Sequence, residues 1–247
     1  MNSTSFGWSS AAATHPGKVR VVNEDAILAV PERGLWVVAD GMGGHQAGDV
    51  ASQLIVESLA QVGEHDNPAH FLDEVEQRLI AVNEKLIDTA ADRGAMVTIG
   101  STVVVLLALE QHCVLAWAGD SRAYRLRHDQ LEQLTADHSQ VQRMIDRGQL
   151  EPEQAENHPY ANVITRAVGG TDDLRLDIEV RALQAGDRYL LCSDGLYRDV
   201  SEAQIAARLR SPSCDDACSG LLADALESPA QDNISVVCVE FHPDPDD

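Results

Sequence analysis

Acidic residues stand at the points where short apolar runs of this sequence end or begin. The carboxylates concerned are Glu24, Asp25, Asp40, Asp120, Asp194 and Asp232. Short apolar runs bounded by turn residues are typical of buried strands, so each acid is expected where a strand leaves the core. Asp-Gly turn chemistry explains any single position, but it does not explain the whole set. If the strand ends meet, they form a crowded carboxylate site whose negative charge must be compensated.

A carboxylate site without sulfur ligands favours Mg²⁺, Mn²⁺ or Ca²⁺ over zinc. Two such ions about 3.5–4 Å apart can hold and deprotonate a water molecule for an in-line attack. Arg20 precedes Glu24 by four residues, and on an extended strand residues i and i+4 lie on the same face. We therefore expect the Arg20 guanidinium to reach the acids and bind a phosphate group. A solvent-facing arginine is the alternative.

Hydrophobic periodicity predicts the elements that must position these acids. Apolar residues recurring every three and four positions predict helices, and short apolar runs predict strands. The predicted helices span 47–62, 71–87, 141–145, 202–209 and 215–226, and the predicted strands span 36–39, 102–109, 113–118, 123–126, 188–192 and 234–241. Helices separated by runs of consecutive strands favour an α+β layered fold over a βαβ Rossmann arrangement. The expected architecture is two packed sheets with helices outside.

The composition excludes several classes of protein. The chain has 247 residues with 18 basic and 40 acidic side chains, a formal charge of −22, which argues against nucleic-acid or anionic-membrane partners. The longest apolar run, 103–109, is too short to span a bilayer. The first ten residues lack a secretory-signal pattern, and five cysteines, an odd number, are typical of a reducing compartment. We therefore expect a cytoplasmic protein.

The cysteines offer one rival chemistry. Cys113, Cys192 and Cys238 lie in apolar runs and are predicted to be small core residues, and no second Cys/His pair completes a zinc site with Cys214 and Cys218. Cys192 and Arg198 do have the C-x5-R spacing of cysteine-dependent phosphatases. Asp194 inside that loop would repel both a thiolate and a phosphate, so a buried strand cysteine is favoured.

Several segments occur together in a recognisable order and spacing. They are Arg20-Val-Val-Asn-Glu-Asp-Ala26, Val38-Ala-Asp-Gly-Met-Gly-Gly-His45, Gly100-Ser-Thr102, Gly119-Asp-Ser-Arg-Ala-Tyr124, Leu190-Leu-Cys-Ser-Asp-Gly-Leu196 and Asp232-Asn-Ile-Ser-Val236. From about Gly7 to Val239, the chain resembles the metal-dependent PP2C-type (PPM) protein serine/threonine phosphatases in their compact bacterial form. The resemblance implies a four-layer α-β-β-α sandwich of two mainly antiparallel sheets. It also implies one phosphatase domain over 1–247, with a flap at about 135–165 and an acidic tail at 242–247.

The resemblance also assigns roles to the acids. It implies that Asp40 bridges two Mn²⁺ or Mg²⁺ ions and that Asp194 and Asp232 complete the first metal site. Glu24 and the Gly41 carbonyl would bind the second ion. Asp25 would support the metals through water, and Asp120, shared with Asp194, would bind a third, weaker ion.

The same resemblance implies a reaction. Arg20 would bind the substrate phosphate, and a hydroxide bridging the metals at Asp40 would attack phosphorus directly, without a phosphoenzyme intermediate. The implied substrates are phosphoserine and phosphothreonine proteins, chiefly those of a serine/threonine kinase, and the protein is expected to be a monomer. His45 is interpreted as a helix cap or packing residue and not as a general acid. The alternative function is a catalytically inactive, partner-binding module of the same fold, which loss of metal-site acids would mark.

Overall fold

Two antiparallel sheets form the centre of the computed structural model, which describes residues 6–43, 47–63, 67–94, 97–155 and 157–243. The first sheet has the order β1-β11-β10-β7-β8, and the second has the order β2-β3-β5-β6-β9, with β4 paired to β3. The strands are β1 Phe6–His15, β2 Asp25–Val30, β3 Leu35–Gly43, β4 Ile99–Ser101, β5 Val103–Leu109, β6 His112–Ala118, β7 Arg122–Arg127, β8 Gln130–Gln133, β9 Asp177–Ala182, β10 Arg188–Cys192 and β11 Ile234–Pro243.

Helices cover the outer face of each sheet. They are α1 Gly48–Leu59, α2 Pro68–Arg93, α3 Gln140–Asp146, α4 Asp194–Tyr197, α5 Glu202–Leu209 and α6 Cys214–Glu227, and short 3-10 turns span Pro31–Arg33 and Pro152–Gln154. Helices α1 and α2 pack on the second sheet, and α5 and α6 pack on the first. None of the helices in these ranges is long and apolar enough to cross a membrane.

Successive side chains along a strand point alternately toward the helices and toward the other sheet, so the core is divided into layers. Val37 of β3 packs against α1 and α2, whereas Trp36 and Val38 point between the sheets, as the period of two in a strand requires. Aromatic rings fill the centre: Tyr189 lies edge-on to Phe241 with ring centroids 5.5 Å apart. The layers therefore run helix, sheet, sheet, helix, and the predicted α-β-β-α sandwich is confirmed.

The predicted helices are present, with α2 longer at both ends than its apolar periodicity indicated. The predicted strand ranges do not include β1, β2, β4, β8 or β9. Strand β1 is rich in small and polar residues and is ordered by pairing with β11 along its whole length. Strand β8 is short and polar. Strand β9 is an edge strand whose Ile178 and Val180 are exposed, so no buried apolar run marks it.

Candidate metal centre

The predicted acids lie at the ends of strands from both sheets. The register of β2 and β3 places Asp25 directly opposite Asp40. In the other sheet, Asp194 follows β10 and Asp232 precedes β11, while Asp120 follows β6 of the second sheet. The packing of the two sheets thus brings carboxylates from five separate chain segments into one another's electrostatic field.

Asp40 is the acid that the others surround. Burial raises the pKa of its carboxyl well above the usual range, and the charge of neighbouring acids raises it further. Those neighbours are Asp25, Asp194, Asp120 and Asp232. The Asp40 main chain is fixed by Thr102, whose Oγ1 accepts from Asp40 N at 3.1 Å and whose N donates to Asp40 O at 2.9 Å. A charged carboxylate in this position requires a compensating cation.

Asp25 is buried beside two hydroxyls of the opposite sheet. Ser193 and Ser235 each donate from Oγ to Asp25 Oδ2 at 2.7 Å. Burial raises the Asp25 pKa to about 7, although the two hydrogen bonds oppose that shift. The serines therefore join the two sheets at the acids and fix the orientation of the Asp25 carboxyl.

Asp120 and Asp194 share one cationic neighbour. Burial raises the Asp120 pKa to about 7 and also raises the pKa of Asp194, where Arg198 opposes the effect of burial. Arg198 Nη1 lies 2.9 Å from Asp194 Oδ2, and its Nη2 lies 3.8 Å from Asp120 Oδ2. Within the described residues, the Oδ1 atom of each acid is buried without a hydrogen-bond partner. Both carboxylates thus keep an open oxygen.

Arg20 reaches the site, but not in the way its spacing predicted. The segment 17–24 forms turns and bends, so the argument from i and i+4 on an extended strand was wrong. The Arg20 guanidinium nevertheless lies against the last acid of the set, with Nη2 3.0 Å from Asp232 Oδ2. The Arg20 side chain is 49% exposed, so it stands at the rim of the site and faces solvent.

Glu24 and Gly41 are neighbours through the backbone. Gly41 N donates to Glu24 O at 3.0 Å, and a Cβ on Gly41 would lie 2.0 Å from Gly48 O. A Cβ on Gly48 would lie 2.8 Å from Glu24 Oε1, so the Glu24 carboxylate lies against the first turn of α1. Only glycine permits these close approaches.

Divalent cations fit this set of donors. The donors are carboxylate oxygens and one backbone carbonyl, which hard ions such as Mg²⁺ and Mn²⁺ prefer, and two of the acids have an orphaned buried oxygen. In their present rotamers, the acidic, histidine and cysteine side chains of the described ranges form no group of three that could hold one ion. Arg20 and Arg198 lie against Asp232 and Asp194 instead. Metal binding would therefore require side chains to turn toward a shared ion.

The family of the chain follows from the similarity of its sequence to a known protein family. A family model described as protein phosphatase 2C matches residues 17–226, a range that contains five of the six predicted acids and ends before Asp232. This chain belongs to the protein phosphatase 2C family. The resemblance inferred from the motifs is thereby confirmed.

Relatives of this phosphatase 2C chain include bacterial serine/threonine phosphatases. It is 36% identical over 230 residues to the serine/threonine protein phosphatase PstP of Mycobacterium tuberculosis, covering 93% of this chain and 44% of PstP. It is 34% identical over 235 residues to the serine/threonine phosphatase stp of Listeria innocua, covering 92% of this chain and 93% of the relative. The chain thus spans less than half the length of PstP.

A solved structure of a relative has the same fold. It is the catalytic domain of the serine/threonine protein phosphatase PstP in complex with two manganese ions. Its TM-score with this phosphatase 2C chain is 0.86 at 33% sequence identity, and the match covers 96% of this chain and 99% of that chain.

Sequence reasoning missed the residues that hold the acids in place. Asn233 is buried, and its Oδ1 accepts from Glu24 N at 2.8 Å, while its Nδ2 donates to Pro16 O and Val22 O at 3.0 and 3.1 Å. Ser193 and Ser235 hold Asp25. These residues stood inside the quoted motifs, but their partners are about two hundred positions away in sequence, so spacing could not identify them.

The cysteine alternative does not fit the structure of this phosphatase 2C chain. Cys192 is fully buried in β10, and burial raises the pKa of its thiol to about 12. A thiol in that state is no nucleophile at neutral pH. Arg198, the other residue of the C-x5-R spacing, pairs with Asp194. The prediction that Cys113, Cys192 and Cys238 are core residues is confirmed.

Two further expectations concern the rim of the site. The flap segment contains the predicted short helix, α3, which is capped by Ser139, whose side chain accepts from Gln142 N. His138 anchors the segment to the core, since its Nδ1 accepts from Gly119 N at 3.0 Å and its ring stacks on Trp117. His45 and the end of the acidic tail, 244–247, lie outside the described residues.

Proposed function

We propose that this phosphatase 2C chain hydrolyses phosphoserine and phosphothreonine in other proteins with the help of two Mn²⁺ or Mg²⁺ ions. The observation that carries the proposal is the convergence of buried carboxylates from both sheets beside the half-exposed guanidinium of Arg20. The presence of two manganese ions in the structure of the PstP catalytic domain supports the choice of cofactor. All the acids of the expected site are present in the sequence, which gives no support to an inactive module.

The ligand assignment follows the one that the phosphatase 2C resemblance implies. Asp40 is the proposed shared ligand, with Asp194 and Asp232 completing one metal site and Glu24 and the Gly41 carbonyl forming the other. The close packing of Gly41 against Gly48 brings the Glu24 and Gly41 segments together, which supports that pairing.

The remaining acids have supporting roles. For Asp25 we propose the water-mediated support of the ions that the resemblance implies, and the two serine hydroxyls that donate to its Oδ2 fix the orientation of the carboxyl for that role. Asp120 lies beside Asp194 across the Arg198 guanidinium, and these two acids are the proposed ligands of a third, weaker ion.

Divalent ions at these positions would supply an activated water and neutralise charge that develops on the phosphoryl oxygens. The proposed role of Arg20 is to bind and orient the substrate phosphate. Its Nη2 is engaged with Asp232, and because a guanidinium has five N–H donors, the exposed side chain can present others to phosphate oxygens. Asp232 thus positions the arginine at the rim of the site.

The proposed substrates are phosphorylated proteins, in particular those modified by a serine/threonine kinase. The net charge of −22 disfavours nucleic acid and anionic membranes as partners. Five unpaired cysteines are consistent with a reducing compartment such as the cytoplasm. We further propose that residues 1–247 act as one monomeric phosphatase domain.

The test is phosphate release from a phosphothreonine peptide in the presence of Mn²⁺, repeated with excess EDTA. Release is expected to stop with EDTA and to return when Mn²⁺ is restored. Asp40→Asn is the matched control, because it preserves size while removing the charge of the shared ligand, and it should abolish activity in a folded protein. Release that persists in EDTA, or a fully active Asp40→Asn variant, would overturn the proposed function.

A further inference from the structure

Arg198 lies between two buried carboxylates, one in the connection from β6 to β7 and the other at the start of α4. Its Nη1 is 2.9 Å from Asp194 Oδ2, and its Nη2 is 3.8 Å from Asp120 Oδ2. Asp120 and Asp194 are 3% and 9% exposed, respectively. The guanidinium is therefore the cation that compensates this acid pair when no metal ion is bound.

The compensation is incomplete in both charge and hydrogen bonding. One guanidinium carries a single positive charge against two carboxylates, and the Oδ1 atoms of both acids are buried without a hydrogen-bond partner in the described part of the chain. Buried polar atoms are normally satisfied. A hard divalent cation prefers carboxylate oxygens as ligands. The two Oδ1 atoms that Arg198 leaves without a partner could therefore bind such a cation.

From this geometry we propose that Arg198 is a built-in cation that competes with a divalent ion for the Asp120–Asp194 pair and keeps the occupancy of that position low. The inference rests on the proposed metal centre, because the competition matters only where divalent ions bind. Arg198 then acts as a positioning residue that sets the number of bound ions. It does not contact substrate in this role.

The Arg198 side chain is exposed enough to move away from Asp120 and Asp194. Arg198 has 31% of its side chain exposed, in contrast to 4% for Asp120, so its guanidinium can turn to solvent while the acids stay in place. Its main chain is held independently of the side chain, since Arg198 N donates to Asp194 O at 3.1 Å. Exchange between the arginine and a divalent ion therefore needs no change in the backbone.

The experiment counts the Mn²⁺ bound to the 247-residue protein by following the electron paramagnetic resonance signal of free Mn²⁺ during a titration. Arg198→Met removes the positive charge and keeps the length of the side chain. Arg198→Gln also removes the charge but retains an amide that can donate to Asp194. If one of the two variants folds poorly, the other still tests the proposal. Arg198→Lys keeps the positive charge. Arg208→Met is the control for net charge, because Arg208 pairs with Asp224 on the surface between α5 and α6.

We expect the neutral variants to bind one more ion than the wild-type protein at the same Mn²⁺ concentration, or to bind the weakest ion at least tenfold more tightly. Arg198→Lys and Arg208→Met should titrate like the wild type. Adding Asp120→Asn to Arg198→Met should abolish the gain, which locates the extra ion.

Identical titrations of wild type and both neutral variants would overturn the inference, while Mn²⁺-dependent activity of the wild type would leave the proposed function standing. A gain that survives Asp120→Asn would also overturn it, because the ion would then lie elsewhere. A wild-type protein without EDTA-sensitive activity would refute the proposed function, and the titration of the neutral variants would still decide the role of Arg198.

Discussion

Replacing Asn233 with alanine tests whether the acids depend on a single buried amide for their positions. Asn233 is 4% exposed, and its side chain makes three hydrogen bonds to the main chain of the segment that carries Arg20 and Glu24. Alanine removes all three and leaves Glu24 N and the carbonyls of Pro16 and Val22 without these partners. Nothing in the substitution touches a predicted ligand side chain.

The expected loss of stability follows from these bonds. Each hydrogen bond contributes about 0.5–1.5 kcal/mol net, and a buried group left unsatisfied costs about 1–3 kcal/mol. Because part of the segment is exposed and water can replace some partners, we expect Asn233→Ala to lower the free energy of unfolding by about 2–4 kcal/mol. The freed segment should also weaken Mn²⁺ binding at least tenfold, about 1.4 kcal/mol, since the Glu24 main chain is no longer held.

The assay pairs urea unfolding in EDTA, followed by circular dichroism, with a Mn²⁺ titration of the folded variant. Asn83→Ala is the matched control. Asn83 is 1% exposed and also holds a loop, with Oδ1 accepting from Gly169 N at 2.7 Å and Nδ2 donating to Thr171 O at 2.9 Å. It should lose about 1–3 kcal/mol of stability without losing Mn²⁺ affinity.

The comparison separates positioning from general stability. If Asn233→Ala and Asn83→Ala lose similar stability and both keep wild-type Mn²⁺ affinity, the acids do not depend on Asn233 and the reasoning is refuted. A stability loss below about 0.5 kcal/mol for Asn233→Ala would refute the hydrogen-bond argument itself.

Four further predictions concern the metals, the rim and the core. Mn²⁺ at about 100 times its Kd should add about 2.7 kcal/mol of stability per ion and raise Tm by roughly 5–10 °C in a thermal melt; an unchanged Tm would contradict metal binding by the folded state. Arg20→Ala should raise KM for a phosphopeptide at least tenfold without weakening Mn²⁺ binding, since it removes a phosphate-binding group that also pairs with Asp232, and an unchanged KM would remove its assigned role. Gly41→Ala should lose about 1–3 kcal/mol of stability and bind Mn²⁺ more weakly, because its Cβ would meet Gly48 O at 2.0 Å. Gly63→Ala should behave as wild type in both assays, because the nearest atom of the described residues would lie 3.8 Å from its Cβ. Cys192→Ser should lose about 1–3 kcal/mol through burial of a hydroxyl yet keep kcat, and an inactive, folded variant would reopen the cysteine mechanism.

The sequence predicted the central strands because their signal is local. Strand β5 is an unbroken apolar run, buried on both faces between the helices and the other sheet, and a run of that kind predicts a buried strand. Strand β1 has no such signal, since it is defined by its pairing with β11 more than two hundred residues later. In edge strand β9, the apolar residues Ile178 and Val180 are exposed to solvent. The alternation of apolar and charged residues along this strand therefore did not indicate which side chains are buried.

The acids of the candidate site could be found from the sequence because each stands beside an apolar run. The residues that orient them could not. Arg20 illustrates the limit: the periodicity argument named the right residue for the wrong reason, because the position of its segment is set by Asn233 and not by strand geometry. Arg198 was noted only for its distance from Cys192, whereas its contacts are with Asp194 and Asp120. Long-range partners of this kind leave no mark in local spacing.

The arrangement of charges explains how such a site can exist in a folded protein at all. The rigid sheets fix the backbone of Asp40, Asp25 and Asp194 regardless of their mutual repulsion, since the strands bury apolar side chains on both faces. The cost of concentrating the acids is then reduced locally, by serine hydroxyls at Asp25 and by Arg20 and Arg198 at the margins. Both arginines are partly exposed and can turn away when divalent ions bring more positive charge to the same oxygens. The folded scaffold therefore holds the segments that carry the acids close to one another, and the two arginines offset part of the repulsion between the carboxylates.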